Sequence, residues 1–528
     1  MMSERTLAVR AGLIRTLDPE RPEVECLAVR AGRIVGLGSE DEIRSLVGSG
    51  GEWLDLRLAT VVPGLTDSHI HLVEWALGRT APDLSGTGAM ADVLASVRSR
   101  AGSVPPEAWL EFKGWDPATR PEAGLADLDA ASQGRAVALV AHDLHSGWLN
   151  TEAMRRLGIL ADCSDPPGGT LERDPDGRPT GLLKERALDW WYEGRPRPSD
   201  AERRAALLQA QAALHRVGVT GVHSVEAPDS FRMLEELELA GELDLRVLHH
   251  FPQRFIDKLI ECGIASGFGS ERLRVGGIKY FSDGALGSRT AWMLEPYEDW
   301  EGRGILRLEP EELAADVERA LAAGLSATVH AIGDAAVSMV LDTLERAGCA
   351  GLAIPHRIEH LQCVRRSDIE RAARAGIVAS MQPSHLLTDI RLAEERWGPE
   401  RCRGTMALRS LLSAGTVLAF GSDAPVEDPD PREGFFAALE RRDRSGYPSD
   451  GWYPEERLTG LEVLSAYTEG PAIAAGDADR RGRLSPGYHA DLCAWDIDPG
   501  TASGQEILAG NVLATVVGGE VVYGEGST

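Results

Sequence analysis

Between residues 61 and 424 short apolar runs alternate with stretches rich in Ala, Leu, Arg and Glu, and this alternation limits the fold more than any other feature of the chain. The short runs read as strands and the stretches between them as helices, which is the order of βα units around a parallel sheet. Eight runs qualify: 61–71, 218–225, 245–251, 274–283, 325–333, 356–362, 377–384 and 416–424. Eight is the number that a (β/α)8 TIM barrel needs. Residues 72–190 separate the first two runs, too many for a βα loop, and predict an inserted domain or lid after barrel strand 1. Its Pro- and Gly-rich stretch 165–181 reads as a hairpin-rich return path.

Both ends of the chain are written differently. Residues 1–60 and 481–528 carry short alternating strands and tight turns, as in CLAVRAGRIVGLG, where Ala31 and Gly32 divide two apolar runs in the manner of a hairpin. The expected architecture is α/β. A small β-sandwich is built from residues 1–60 and 481–528, and a barrel from 61–71 and 191–480, with 72–190 inserted.

Charge excludes several partners. With 55 Lys plus Arg against 82 Asp plus Glu, the net charge is −27, and a phosphate backbone or anionic membrane surface needs a basic footprint instead. No run of about 18 apolar residues and no signal-type leader is apparent. Seven scattered cysteines never form a C-x-x-C pair, which fits a reducing compartment. The expectation is a cytoplasmic protein acting on a small molecule, without nucleic acid or membrane partners; a homo-oligomer stays open.

Chemistry concentrates at strand ends. In Asp67-Ser68-His69-Ile70-His71 the two histidines project from one face of a strand and can reach one metal ion. Alone, such a pair also suits a surface or a satisfied core. His330, His360 and Asp423 close later runs at their C-terminal edges, where barrel active sites are built. Imidazoles with one carboxylate suit Zn²⁺ or a similar divalent ion. Lysine survives at only four positions, Lys113, Lys184, Lys258 and Lys279, and Lys279 closes the fourth strand.

The set His69, His71, Lys279, His330, His360 and Asp423 resembles the metal-ligand pattern of the amidohydrolase superfamily. More closely, VVPGLTDSHIHL, GGTLERDPDGRPTGLLKE, GGIKYFSDGALGSRTA, HAIGDAA, RIEHLQ, SMQPSH, GSDAPVEDP and LSPGYHADL are similar to its N-substituted formamide deformylase-like, YtcJ-like (amidohydrolase 3) branch. The resemblance covers essentially the whole chain. It implies hydrolysis of a non-peptide C–N bond, an amide or N-substituted formamide, by metal-activated hydroxide. Deaminase or cyclic-amide chemistry on the same scaffold, or a catalytically idle metal-binding regulatory relative, remain alternatives.

By that resemblance, one or two divalent ions, Zn²⁺ foremost, are held by His69 and His71 on one side and His330 and His360 on the other. Asp423 is ligand and catalytic proton carrier. Lys279 matches a position that reacts with CO₂ to a carbamate bridging two metals. A carbamate needs a neutral primary amine, which a buried lysine provides and an arginine does not; the competing reading is a lysine ion-paired to Asp283.

Other residues are candidates for substrate binding. Asp283 and Arg289 follow strand four and either orient substrate or pin a loop together. Gln382 and His385 follow strand seven. His145 resembles the branch's G-H-S segment, although Leu144 stands where that pattern usually has Gly. Lys184, on the insertion, is expected to face substrate or serve structure. His223, His249 and His250 are expected either in the core or in support behind the metal ligands, and Trp115, Trp148 and Trp292 either wall an aromatic substrate or simply pack.

Overall fold

The computed structural model describes residues 6–48, 50–79, 81–141, 144–159, 162–196 and 198–524. Two compact units emerge, Met1–Trp75 with Leu207–Thr528, and Ala76–Ala206.

Eight parallel strands in chain order build the larger unit: Leu65–Ile70, Val219–Val225, Arg246–Pro252, Leu273–Phe281, Ala327–Ala331, Arg357–His360, Val378–Met381 and Val417–Phe420. Where the first strand ends and the chain leaves the last, Asp423 N donates to His69 O at 2.7 Å and His71 N to Ala424 O at 2.8 Å, and Ile70 bridges Ala424 in parallel. This is a TIM barrel, with one strand from each predicted run. The run 61–71 is divided, because Glu52–Pro63 joins another sheet and only Leu65–Ile70 enters the barrel. Gly64 makes the crossing: a Cβ there would lie 2.4 Å from Thr220 Oγ1.

The outer helices follow from local sequence. In Pro310–Ala322, Pro310 opens the first turn, where its missing N–H costs nothing. Glu311 and Glu312 face the positive helix end, while Leu313, Val317 and Ala320 turn one stripe inward.

Strands from both termini share one seven-stranded sheet, in which Leu492–Trp495 pairs with Glu52–Pro63. Ala31 and Gly32 have φ of 51° and 76°, as a two-residue hairpin turn requires. The sheet curls until this turn meets the one at its far end, where a Cβ on Gly32 would lie 3.0 Å from Gly518 O. Val9, Leu27, Val29, Leu492, Ala514 and Val516 therefore share one core. A buried ion pair joins this layer to the barrel: Asp491 accepts from Arg246 Nε at 2.5 Å and Nη2 at 2.9 Å.

The second unit holds a five-stranded sheet, Trp109–Trp115, Ala136–Ala141, Ser146–Leu149, Pro179–Glu185 and Gly169–Arg173 in spatial order. The last two form the hairpin expected within 165–181. Trp115 and Trp148 are fully buried and stacked at 5.8 Å, which favours the packing reading for them. No helix among the described residues is long and apolar enough to cross a membrane.

Candidate metal centre

The ends of strands one, six and eight bring His69, His360 and Asp423 together, with one donor atom of each within 4.8 Å of the others. His71 joins them. Its Nε2 lies 3.3 Å from Asp423 Oδ1, and His69 Nε2 lies 3.2 Å from the same oxygen. His360 and Asp423 both take left-handed backbone conformations, φ 71° and 60°. Such conformations cost non-glycine residues about 1–3 kcal/mol each and collect at functional sites.

The outward side of each ring shows what this arrangement holds. His71 Nδ1 faces Val225 O at 2.9 Å, and a carbonyl can only accept, so that nitrogen carries the proton. His69 Nδ1 faces the Glu359 carboxylate in the same way. Both Nε2 atoms are then lone pairs in the neutral rings, and both point at a carboxylate oxygen. Only positive charge relieves that convergence, whether protons on the rings or a cation among them. A donor set of imidazoles and one carboxylate fits a borderline divalent ion. His360 Nδ1, buried and without a hydrogen-bond partner among the described residues, adds a further available donor.

The electrostatics agree. Burial alone would push the Asp423 carboxyl up, yet attraction to His69 and the hydrogen bonds from His69 and His71 hold it well below the usual carboxylate range. Burial, the largest single influence, works against a charged His71, but the hydrogen bond and charge of Asp423 together with the charge of Glu226 outweigh it and shift the ring upward. His360 is driven far down by burial and remains a neutral imidazole.

Lys279 and His330 flank this group. Lys279 is 1% exposed and makes no ion pair or hydrogen bond among the described residues, so the expected alternative of a lysine paired to Asp283 is not what the structure contains. Burial lowers its amine to about 8, and its Nζ lies 4.9 Å above the Phe281 ring. The His330 ring packs edge-on to His360 at 4.5 Å, while its Nε2 donates to Gly284 O at 3.0 Å.

The substrate candidates separate. His385 reaches the centre: its Nε2 lies 4.0 Å from Asp423 Oδ2 and its ring stacks on His360 at 6.1 Å. Gln382 is fully buried, with Oε1 making no hydrogen bond among the described residues. Asp283 accepts backbone N–H groups from Trp292, Ile332 and Gly333 at 2.8–3.1 Å, so it ties the loops after strands four and five. Burial raises its carboxyl to about 7. Arg289 is not its partner, because Asp299 takes that guanidinium at the surface. His145 lies in the second unit, where its Nδ1 is 3.0 Å from Glu185 Oε2. Leu144 before it has φ 58°, the left-handed conformation that explains a glycine preference there.

Sequence reading passed over Glu359 and Arg357, both fully buried. Glu359 accepts from Arg357 Nε at 2.5 Å and Nη2 at 3.1 Å while contacting His69. Their signal was present in Arg357-Ile358-Glu359-His360, since two charges on alternate residues of a barrel strand are costly unless paired. Asp67 was also missed; it accepts from His69 N at 3.0 Å and Ser422 N at 3.1 Å, joining the first and last strand ends.

Comparison with known proteins agrees with this geometry. The chain is 32% identical to the Arabidopsis thaliana protein LONG AFTER FAR-RED 3, over 98% of this chain and 91% of that protein. It is 30% identical to the putative amidohydrolase YtcJ of Bacillus subtilis, covering 97% and 98%. With the N-substituted formamide deformylase of Arthrobacter pascens it shares 28% identity over 99% of each chain. Among solved structures, an uncharacterized metal-dependent hydrolase from Pyrococcus horikoshii superposes with a TM-score of 0.80 at 27% identity, covering 95% of this chain and 99% of that one. The sequence profile of the amidohydrolase family matches residues 52–523, and the chain belongs to that family.

Proposed function

We propose that the protein hydrolyses a non-peptide C–N bond, in an amide or N-substituted formamide, at the centre formed by His69, His71, His360 and Asp423. The observation that carries this reading is the convergence of two imidazole lone pairs on one carboxylate oxygen at the C-terminal end of the barrel. Full-length similarity to a deformylase supports the substrate class. A divalent ion bound there, Zn²⁺ by donor type, polarises the carbonyl and supplies water with a pKa near 7.

The chain's own residues do the rest. His69 and His71 present Nε2 inward because Glu359 and Val225 O occupy their Nδ1. Asp423, ionised by its neighbours, accepts a proton at Oδ2 and returns it to the departing nitrogen. Gln382 Oε1 and His385 Nε2 are buried and make no hydrogen bond among the described residues, as groups reserved for a substrate carbonyl or amine do, and His385 Nε2 also faces Asp423 Oδ2 at 4.0 Å. Lys279, whose burial supports a neutral amine, would take up CO₂ as a carbamate with release of a proton, and with His330 would hold a second ion if the site binds two. Protein purified with bicarbonate should hold about one or two equivalents of Zn, Mn or Fe by plasma mass spectrometry, and release amine from a panel of amides and formamides. Asp423→Asn should abolish nearly all turnover. Turnover surviving that change, or protein without metal, refutes the reading.

A further inference from the structure

Under the first histidine of the centre lies a charged assembly that a TIM barrel core, ordinarily filled by Val, Ile and Leu, has no packing reason to contain. Arg357 and Glu359 alternate along strand six and are both 0% exposed. The Arg357 guanidinium holds Glu359 through two nitrogens, at 2.5 and 3.1 Å. Nη2, which also meets Glu359, shares its second N–H between Ser380 Oγ at 2.6 Å and Ser68 O at 2.5 Å, and Nη1 donates to His223 Nδ1 at 2.8 Å. Four strands, one, two, six and seven, are thereby tied to one side chain. Glu359 spends its other capacity on His69 Nδ1.

We propose that Arg357 and Glu359 act as a positioning pair which fixes His69 with its proton on Nδ1 and its Nε2 lone pair toward the metal centre. This rests on the metal-site reading above. Glu359 can serve only if it stays turned toward His69 rather than swinging to the ion itself, and the Arg357 fork is what holds it. Arg357 in turn is oriented from three further sides, including the main chain of Ser68, the residue next to His69. Because His223 Nδ1 accepts from Arg357, His223 belongs to the same assembly as a neutral acceptor.

The pair makes a chemical demand that a glutamine cannot meet. In Glu359→Gln the amide NH₂ faces either Arg357 Nε, in place of Oε1, or both Arg357 Nη2 and the His69 N–H, in place of Oε2; all are donors, so one or two contacts are lost and the grip on the side chain loosens. Carboxylates and similar groups behind a metal-bound imidazole are typically worth 10–100-fold in metal affinity. Zn²⁺ affinity, by competition with a chromophoric chelator, should therefore fall 10–100-fold in Glu359→Gln, and the visible absorption of the Co²⁺-loaded protein should shift. Arg357→Met/Glu359→Gln removes both charges together, so it separates positioning from the cost of an unpaired buried arginine. It should fold cooperatively and show the same loss. Zn²⁺ affinity within twofold of the unaltered protein, in either folded variant, overturns the pair's role while leaving the metal site standing. Failure of the unaltered protein to bind Zn²⁺ or Co²⁺ overturns both.

Discussion

Gly421→Ala should damage the centre without replacing any candidate ligand. Gly421 follows strand eight where that strand passes the His69 main chain, and a Cβ there would lie 2.4 Å from His69 N and 2.7 Å from Asp67 Oδ1. Ordinary contacts begin near 3.4 Å, so one partner must retreat by about 1 Å. Neither can do so freely. His69 N donates to Asp67, Asp67 also accepts from Ser422 N and Oγ, and Asp423 N donates to His69 O. Overpacking of this kind costs about 1–3 kcal/mol, and a displacement near 1 Å at a catalytic group can cost about 100-fold in rate. The assay is kcat/KM on whichever amide is turned over, beside Zn²⁺ affinity and urea unfolding. Gly102→Ala is the control: it lies in the helix Met90–Ser103 with nothing within 4 Å of its added Cβ, and should be neutral or stabilise by up to about 1 kcal/mol. A Gly421→Ala protein with unaltered Zn²⁺ affinity and kcat/KM would show that the close approach does not position His69.

Asp491→Asn strands the buried Arg246 and should cost about 3–5 kcal/mol at pH 7 in urea unfolding. Despite burial, Arg246 holds the Asp491 carboxyl far below its usual range. Its contribution is therefore complete above the unfolded carboxylate value of about 3.9 and disappears as pH falls from there through the native value, so variant and parent should converge only in acid. Lys279→Ala, purified with bicarbonate, should drop from about two metal equivalents to one or fewer; unchanged content retires the carbamate. Leu144→Gly removes a left-handed leucine and should stabilise the second unit by about 1 kcal/mol, read as a higher melting temperature. Thr459→Ala breaks a capping box with Glu462 and should cost about 1 kcal/mol.

Periodicity, strand-end position and residue type are local properties, and they carried the barrel. Each of the eight runs marks a strand because apolar runs and intervening helical stretches need no distant partner to be recognised. The alternation that puts His69 and His71 on one face is equally local, and so is the place of His330, His360 and Asp423 at strand ends. Where the reading fell short, the deciding partner was far along the chain or in competition. Of the two readings for Asp283 and Arg289, substrate orientation or a loop-pinning pair, the pair gives way because Asp299 takes the guanidinium and backbone N–H groups take the carboxylate.

By itself, then, the sequence determined the eightfold alternation, the histidine pair and the unusual survival of Lys279. Only the closed barrel decided which nitrogen of each ring faces inward, because the groups that settle it, Glu359 for His69 and Val225 O for His71, lie 290 and 154 residues away. Only barrel closure could likewise bring Asp423 within 3.3 Å of both rings. A hydrogen bond is directional and short-ranged, so its partners are set by how strands meet, and no pattern of neighbouring residues encodes that meeting.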